Sequence, residues 1–209
     1  MPAPVAPLHA GQTASAWVRR WSHLVEAGGS VLDVACGSGR HVRWFVGRGC
    51  RVTGVDRDAD AVAPLAGLAD IVVADIESGP WPFAGRSFDA VVVANYLWRE
   101  RLADLKACVG PGGVLIYETF SVGNERIGKP SNPKFLLQPG ELLQSTVGLR
   151  VVAFEDGFEE GSDDAPARFV QRIVAVRERS PSGPSPRRYG LLPNGSGGQV
   201  KSSDSEDSA

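Results

Sequence analysis

The chain has 209 residues, of which 43% are hydrophobic and 22% charged, and its formal net charge is −2. This length suits one domain with a sizeable core, and the balanced charge gives no global attraction to nucleic acid or to an anionic membrane. Three cysteines at positions 36, 50 and 108 are too few and too widely spaced for a disulfide framework or a Cys-rich metal site, so we expect a cytoplasmic protein without a metal.

Residues 1–13 are rich in Pro and Ala, and we predict a flexible arm ahead of a domain that spans residues 14–179. The arm lacks the basic and apolar runs of a signal peptide, and no segment approaches the ~20 apolar residues of a membrane-spanning helix. We therefore expect no membrane partner. Thr13 or Ser15 is predicted to cap a first helix, whose apolar positions from 17 to 25 share one face.

Beyond this helix, short apolar runs alternate with helical segments. The predicted strands are 31–35, 51–55, 70–74, 88–94, 114–118, 150–154 and 169–176. The predicted helices are 40–46, 59–68 (weakened by Pro64), 100–109 (stopped by the glycines of 110–113) and 139–146. This alternation predicts an α/β fold with a mostly parallel sheet between two helical layers. The acidic stretch 155–164 suits a hairpin, so the last of the seven strands is predicted to be antiparallel.

The composition changes at residue 180. Ser, Gly and Pro dominate from there, and the final residues are acidic with no apolar side chain before the last alanine. Such a segment cannot bury enough apolar surface to order itself. We predict that residues 180–209 form a disordered tail.

A glycine turn joins the first predicted strand to the helix that follows it. Gly37 and Gly39 allow the backbone to turn tightly and let a ligand lie against it. A dinucleotide-binding turn reads G-x-G-x-x-G/A, but its third position here is Val42, which opposes a nicotinamide-dependent oxidoreductase. Asp33 lies on the strand four residues before Gly37, and its carboxylate suits a ligand with cationic groups.

These residues, LDVACGSGR, resemble motif I of the class I S-adenosylmethionine-dependent methyltransferases, in which an acid precedes two spaced glycines. The resemblance implies a three-layer Rossmann-like sandwich and S-adenosylmethionine as the cofactor. It also implies that the glycine loop passes beneath the methionine and ribose part of the cofactor. The cofactor-binding residues predicted in this motif are Asp33, Ala35, Cys36, Gly37 and Gly39.

Acidic residues also end the next two predicted strands. Asp56 can accept hydrogen bonds from both ribose hydroxyls, with Arg57 beside it, although an acid here can instead cap the following helix. The resemblance places Asp75 at the adenine amino group and packs Ile76 on the ring.

The end of the fourth strand faces the methyl group in the resembling family. Ala94 and Asn95 are therefore predicted at the cofactor, and with Tyr96 they are candidates for the acceptor site. The Asn/Asp-Pro-Pro-Tyr/Phe motif is missing here, which counts against acceptor amino groups of nucleobases and glutamine. A sulfonium is a good leaving group, so in-line alignment matters more than a general base. If a base is used, the candidates are Tyr96, Tyr117, Glu118 and Glu125.

A long polar loop, residues 123–137, follows the fifth strand, and long loops inside compact domains are often functional. Its cations Arg126, Lys129 and Lys134 suit an anionic substrate, but the loop can equally be a solvated surface. It resembles a loop of small bacterial methyltransferases near the tellurite-resistance type. His41, in the helix after the glycine turn, is interpreted as a helix-face residue.

The compact chain without an appended recognition domain favours a methyltransferase that acts on a small-molecule acceptor. One alternative is an RNA or protein methyltransferase, which a basic stripe near strands four and five would favour. Another is a non-catalytic regulatory module that binds S-adenosylmethionine. The sequence does not specify an oligomeric state.

Overall fold

The computed structural model describes residues 13–161, 166–179 and 187–191. The predicted arm, apart from Thr13, and most of the predicted tail lie outside the described residues. Residues 187–191, within the tail segment, lie against the domain. The carbonyl oxygen of Gly190 is 2.9 Å from His23 Nε2, and the Arg150 guanidinium lies 5.4 Å from the centroid of the Tyr189 ring.

Seven strands form one sheet in the order β3-β2-β1-β4-β5-β7-β6. Their bounds are β1 Ser30–Val34, β2 Arg51–Asp56, β3 Asp70–Val73, β4 Phe88–Ala94, β5 Val109–Phe120, β6 Arg150–Glu159 and β7 Arg168–Val176. The neighbours among β1 to β5 pair in parallel, whereas β7 is antiparallel to both β5 and β6. The predicted mostly parallel sheet with an antiparallel last strand is confirmed.

Helices cover both faces of the sheet. Their bounds are α1 Ala16–Trp21, α2 Arg40–Gly47, α3 Ala59–Val62, α4 Leu102–Ala107 and α5 Glu141–Ser145. On one face, α1, α2 and α3 bury Trp21, Phe45 and Val62 in the same apolar cluster as Ile116 of β5. On the other face, α4 and α5 contribute Leu105 and Leu142 to a second cluster. The strands are buried on both sides, which explains their continuous Val, Ile and Leu runs.

Four helices of the described chain, α1, α3, α4 and α5, are shorter than predicted. The side chain of Ser15 caps α1 as expected, since its Oγ accepts from the backbone N–H of Val18 at 3.0 Å, but the helix ends at Trp21. The Ser22 hydroxyl donates to the carbonyl of Arg19, and such side-chain bonds compete with helix continuation. The predicted helix 59–68 keeps one turn as α3 and then becomes a 3₁₀ turn around Pro64, which has no N–H to donate.

Two strands are longer than predicted. The glycines of 110–113 lie inside β5, where a Cβ on Gly113 would come within 2.7 Å of the carbonyl oxygen of Phe88 on β4. Glycine is therefore what allows this part of β5 to approach β4. The acidic stretch after 154, predicted as a connection, continues β6 as far as Glu159. Glu159 pairs with Arg168 and Arg172 of β7, so ion pairs across the hairpin keep these residues in the sheet.

A buried ionic cluster joins β5, β6 and β7. The Glu118 side chain is 1% exposed, and its Oε2 lies 3.2 Å from Nε of Arg172. The same guanidinium donates to Glu155 and Glu159 on β6. Because an ionised carboxylate buried without a partner is costly, Arg172 is what allows Glu118 to stay in the sheet interior.

We predict that Arg172→Met lowers the free energy of unfolding by about 3 kcal/mol or more, because it removes the nearer guanidinium from buried Glu118 and leaves only that of Arg168, whose Nη2 lies 3.9 Å from Oε2 of Glu118. Urea unfolding followed by circular dichroism measures this change. Arg126→Met is the matched control, since it removes an exposed partner of Glu125, and its cost should stay below about 1 kcal/mol. Equal losses in the two variants would show that Glu118 does not depend on Arg172.

Candidate functional site

The strand order creates a crevice at one edge of the sheet. From β1 the chain winds outward through β2 to β3 and then returns to place β4 on the other side of β1. In open α/β sheets, ligands bind outside the carboxyl ends of the strands at such a reversal. The predicted residues at the ends of β1, β2, β3 and β4 therefore face one region.

The glycine turn after β1 has the backbone that its sequence predicts. Gly37 and Gly39 have φ angles of +51° and +79°, values that residues with a Cβ rarely adopt. A Cβ on Gly39 would lie 2.4 Å from Cδ2 of Leu65, so the helix layer also requires glycine there. The N–H of Gly37 donates to Oδ2 of Asp56 at 2.7 Å, which connects the turn to the end of β2.

Two residues at this edge have left-handed backbones without being glycine. They are Ala35 after β1, with φ of +53°, and Asn95 after β4, with φ of +58°. Such conformations are uncommon outside glycine and cluster at functional sites. Both positions lie where the sequence predicts contact with the cofactor.

The first cavity at this edge has a volume of about 210 Å³. It is lined by Ala35, Asp56, Arg57, Ala74, Asp75, Ile76, Glu77 and Tyr96. Five of these eight residues are predicted cofactor-binding residues, and Tyr96 is a predicted acceptor-site residue. Ala74 and Glu77 were not predicted, because they carry no motif and only flank Asp75 and Ile76 in the sequence.

The two carboxylates of the first cavity are held by hydrogen bonds. Asp56 accepts from the backbone N–H of Gly37 and of Asp58, whereas Asp58 is the residue that caps α3. The helix-capping alternative for Asp56 is therefore wrong. Asp75 accepts from the hydroxyl of Ser78 at 2.6 Å and from the N–H of Glu77, and these bonds hold the pKa of Asp75 below its usual value. It remains an ionised acceptor at neutral pH.

Asp33 lies beneath the glycine turn and is 1% exposed. Its Oδ2 has no hydrogen-bond partner within the described part of the chain. Burial raises the pKa of Asp33 to about 7, against the opposing influence of the Arg40 guanidinium. Burial also raises the pKa of the neighbouring Cys36 thiol to about 12, so this cysteine is not a reactive thiolate.

The four candidate bases occupy different surroundings. Tyr96 lines the first cavity, and burial raises its pKa, so its hydroxyl stays protonated. The Tyr117 hydroxyl donates to the carbonyl of Tyr96 at 2.8 Å, Glu118 pairs with Arg172, and Glu125 accepts from the N–H of Gly123. These contacts give Tyr117, Glu118 and Glu125 a structural role. A catalytic role for any of the four candidates remains a prediction.

A second cavity, of about 520 Å³, opens on the side of the sheet that carries α1. Its walls come from Ser15 and Ala16 at the start of α1, from Asn95 after β4, from residues 124–129 of the loop after β5 and from the β6–β7 hairpin. Arg40, Lys129 and Arg168 bring positive charge to it. Asn95, predicted at the cofactor, lines this cavity.

Two arginines that the sequence analysis did not single out fix the loops of this edge. Arg99 donates to the carbonyl oxygens of Lys134 and Leu136 and forms a bidentate pair with Glu141. Arg101 donates to the carbonyl oxygens of Ile76 and Gly79, at 2.7 and 2.6 Å. Their position directly after β4 was the only signal in the sequence.

Two features are missing from the described ranges 13–161, 166–179 and 187–191. No helix there is long and apolar enough to cross a membrane. The same ranges contain no group of three or more His, Cys, Asp or Glu residues placed to hold a metal ion.

Part of the chain resembles known proteins. A family described as "Methyltransferase domain" matches residues 31–113. A tRNA U34 carboxymethyltransferase of Methylococcus capsulatus is 35% identical over 111 residues, which cover 47% of this chain and 34% of that protein. The enzyme of the same name from Marinobacter nauticus is 29% identical over 172 residues, covering 71% of this chain and 52% of that protein. The chain thus spans between a third and about half of the length of these relatives.

Solved structures share the fold at low sequence identity. An S-adenosylmethionine-dependent methyltransferase of Methanosarcina mazei superposes with a TM-score of 0.62 at 16% identity, over 80% of this chain and all of that one. TehB of Haemophilus influenzae gives a TM-score of 0.59 at 18% identity, over 72% of this chain and 58% of that one. The predicted Rossmann-like fold is confirmed.

The matched methyltransferase domain and the fold shared with S-adenosylmethionine-dependent methyltransferases support S-adenosylmethionine as the cofactor. The residues at the sheet edge fit this cofactor. Asp33 offers a buried carboxyl oxygen without a partner to a cationic ligand, and the open outer face of Gly37 leaves room beside it. Asp56 and Asp75 are acceptors for hydroxyl and amino groups, which suits an adenosine.

We predict that Asp56→Ala weakens binding of S-adenosylhomocysteine by about 10-fold to 100-fold, because it removes a charged acceptor and releases the N–H of Gly37. Isothermal titration calorimetry measures the affinity. Asp58→Ala is the control, since this neighbouring carboxylate caps α3 instead, and its affinity should equal that of the unmodified protein. Unchanged binding in Asp56→Ala would remove Asp56 from the cofactor site.

Proposed function

We propose that this chain transfers a group from an S-adenosylmethionine-type donor to a nucleotide of RNA, with tRNA as the first candidate. The observation that carries the proposal is the shared name of its curated relatives, which specifies U34 of tRNA as the acceptor. Because these relatives extend beyond the matched region, the acceptor of this chain is to be identified by experiment. The small-molecule acceptor that the compact chain favours has no support among these relatives.

The loop after β5, residues 121–138, supports an anionic acceptor. Its base is closed by hydrogen bonds between Val122 and Leu137 and between Leu137 and Phe120. Inside it, the buried Asn124 side chain accepts from the N–H of Phe169 on β7 and donates to the carbonyl of Pro130, both at 3.3 Å. This segment is therefore built into the domain.

The 121–138 loop presents its cations outward. The side chain of Arg126 is 84% exposed, and Lys129 and Lys134 are exposed beside it. Two apolar side chains next to these cations in the sequence, Ile127 and Phe135, are also exposed. Cations interleaved with apolar or aromatic side chains suit a single-stranded nucleic acid, whose phosphates and bases need both. This pattern favours a binding surface over a merely solvated loop.

The second cavity has a size suited to a nucleotide base. Its volume lies within the range of roughly 300–1,000 Å³ typical of ligand pockets. Phe120 supplies an aromatic surface, and Lys129 links the cavity to the exposed part of the 121–138 loop. A base extruded from a single strand can enter such a cavity while its flanking phosphates remain on the loop.

The chemistry of the site agrees with a uridine acceptor. Uridine has no exocyclic amino group, which fits the missing Asn/Asp-Pro-Pro-Tyr/Phe motif at the end of β4. The donor supplies an activated group on sulfur, and the protein supplies alignment in a water-poor site. Burial raises the pKa of Tyr96, which favours its hydroxyl as a hydrogen-bond donor at the cofactor over a role as the base. The proposal places the reaction in the cytoplasm, as the cysteine content predicts.

The proposal predicts that the purified protein modifies bulk tRNA when S-adenosylmethionine or its carboxymethyl-bearing counterpart is the donor. Mass spectrometry of the nucleosides after digestion distinguishes a methyl from a carboxymethyl product and identifies the base. Lys129→Glu should weaken tRNA binding at least ~10-fold, and neutralising one phosphate contact should lower the salt dependence by about one unit in slope.

Lys106→Glu is the matched control for this experiment. Lys106 lies in the last turn of α4, at the opposite edge of the sheet, and its ammonium contacts the carbonyl of Val147. The control should bind tRNA as the unmodified protein does. If the protein binds the cofactor but no tRNA becomes labelled, the result would oppose the proposal and favour a regulatory module.

A further inference from the structure

His41 connects the start of α1 to the buried acid of the glycine motif. The imidazole is buried, with 3% of its surface exposed. Its Nε2 accepts from the backbone N–H of Ser15 at 3.3 Å, and its Nδ1 lies 3.9 Å from Oδ1 of Asp33. The interpretation of His41 as a simple helix-face residue therefore misses two polar contacts.

The contact with Ser15 determines where the imidazole proton lies. A backbone N–H can only donate, so Nε2 must be unprotonated. Burial lowers the pKa of His41 to about 3, with the Arg40 guanidinium acting in the same direction, so the ring is neutral at physiological pH. The single ring proton is then on Nδ1, on the side that faces Asp33.

Near neutral pH, the Asp33 side chain is present both as the carboxylic acid and as the carboxylate. The groups that face it are Arg40 and His41 from α2, Cys36 from the glycine turn and Asp56 from β2. Burial raises its pKa to about 7 and the Asp56 carboxylate acts in the same direction, whereas Arg40 and a hydrogen bond from the N–H of Val42 oppose them. At 3.9 Å, the separation from Nδ1 of His41 is too long for a hydrogen bond.

Ser15 and Ala16 line the second cavity, the one assigned above to the acceptor. The placement of residues 13–21, which we call the N-terminal segment, therefore shapes that cavity. We propose that His41 is a positioning residue that couples binding of the cationic cofactor at Asp33 to the placement of the N-terminal segment over the second cavity. The inference rests on the cofactor of the family and not on the proposed RNA acceptor.

The coupling depends on the proton that Asp33 loses when the ligand binds. A cationic ligand beside Asp33 favours the carboxylate, so the carboxyl proton leaves to the solvent when the ligand binds. The carboxylate then attracts the Nδ1 proton of His41, which strengthens Nε2 as an acceptor for the N–H of Ser15. Below pH 7 the carboxyl must lose its proton for the ligand to bind, so affinity rises with pH up to about 7 and levels off above it.

The first measurement is the number of protons released on binding S-adenosylhomocysteine, which keeps the ammonium group of the cofactor. Calorimetric titrations at pH 6.5 in buffers of different ionisation enthalpy give this number. We expect the unmodified protein to release a proton fraction well above zero. Asp33→Asn, which has the same shape but cannot titrate, should release none.

The second measurement is amide hydrogen exchange of residues 13–21 with and without S-adenosylhomocysteine. We expect the ligand to slow exchange of this segment at least ~5-fold in the unmodified protein. In His41→Phe, whose ring fills the same apolar space without either nitrogen, the ligand should still bind but leave exchange of this segment unchanged. His23→Phe is the control, because it removes an imidazole that contacts Arg20 and Gly190 on the surface, and should keep the protection.

The outcomes separate this inference from the proposed function. Equal protection in His41→Phe and in the unmodified protein would overturn it, as would the absence of ligand binding or of proton release. If His41→Phe fails to fold, His41→Leu replaces it, since it also occupies apolar space and can neither accept from Ser15 nor donate toward Asp33. Proton release with loss of coupling in that variant supports the inference whether or not tRNA is modified.

Discussion

The position of β1 between β2 and β4 is the constraint on which the rest of this site depends. The strand order reverses at β1, and this reversal opens the sheet edge there. The space above the glycine turn after β1 is therefore not filled by a further crossover connection. The hydrogen bond from the N–H of Gly37 to Asp56 then joins the ends of the two strands that flank this space. Residues 19 positions apart in the sequence, such as Gly37 and Asp56, become neighbours because parallel strands end at one edge.

The loops around this edge are held by charges whose partners are mostly backbone carbonyls. Arg99 holds the 121–138 loop, and two residues later Arg101 holds the turn at Ile76 and Gly79. A guanidinium is suited to this task because its five N–H groups can satisfy several carbonyls at once. Both walls of the crevice are thus fixed from the short segment that follows β4, which is also the segment that carries Asn95 and Tyr96.

The two cavities differ in the charge of the residues that line them. The first cavity is acidic, with Asp56, Asp75 and Glu77 in its lining, and suits the hydroxyl and amino groups of an adenosine. The second cavity contains Arg40, Lys129 and Arg168 as well as acids, and it opens toward exposed cations of the 121–138 loop. Ala35, which lines the first cavity, and Arg40, which lines the second, lie on either side of the glycine turn in the sequence, and Asp33 and His41 are close to both.

The fold, and the grouping of several predicted residues around the first cavity, could be predicted from the sequence because they depend on local signals. Continuous apolar runs define buried strands, and Gly37 and Gly39 define a turn whose backbone excludes other residues. Asp33, Asp56 and Asp75 follow from their places at strand ends. Only the tertiary structure decided the ends of α1 and β5, the pairing of Arg99 and Arg101 with distant carbonyls, and the contact of His41 with Ser15. These features depend on atoms brought together by the packing of sheet and helices, and no local pattern encodes that proximity.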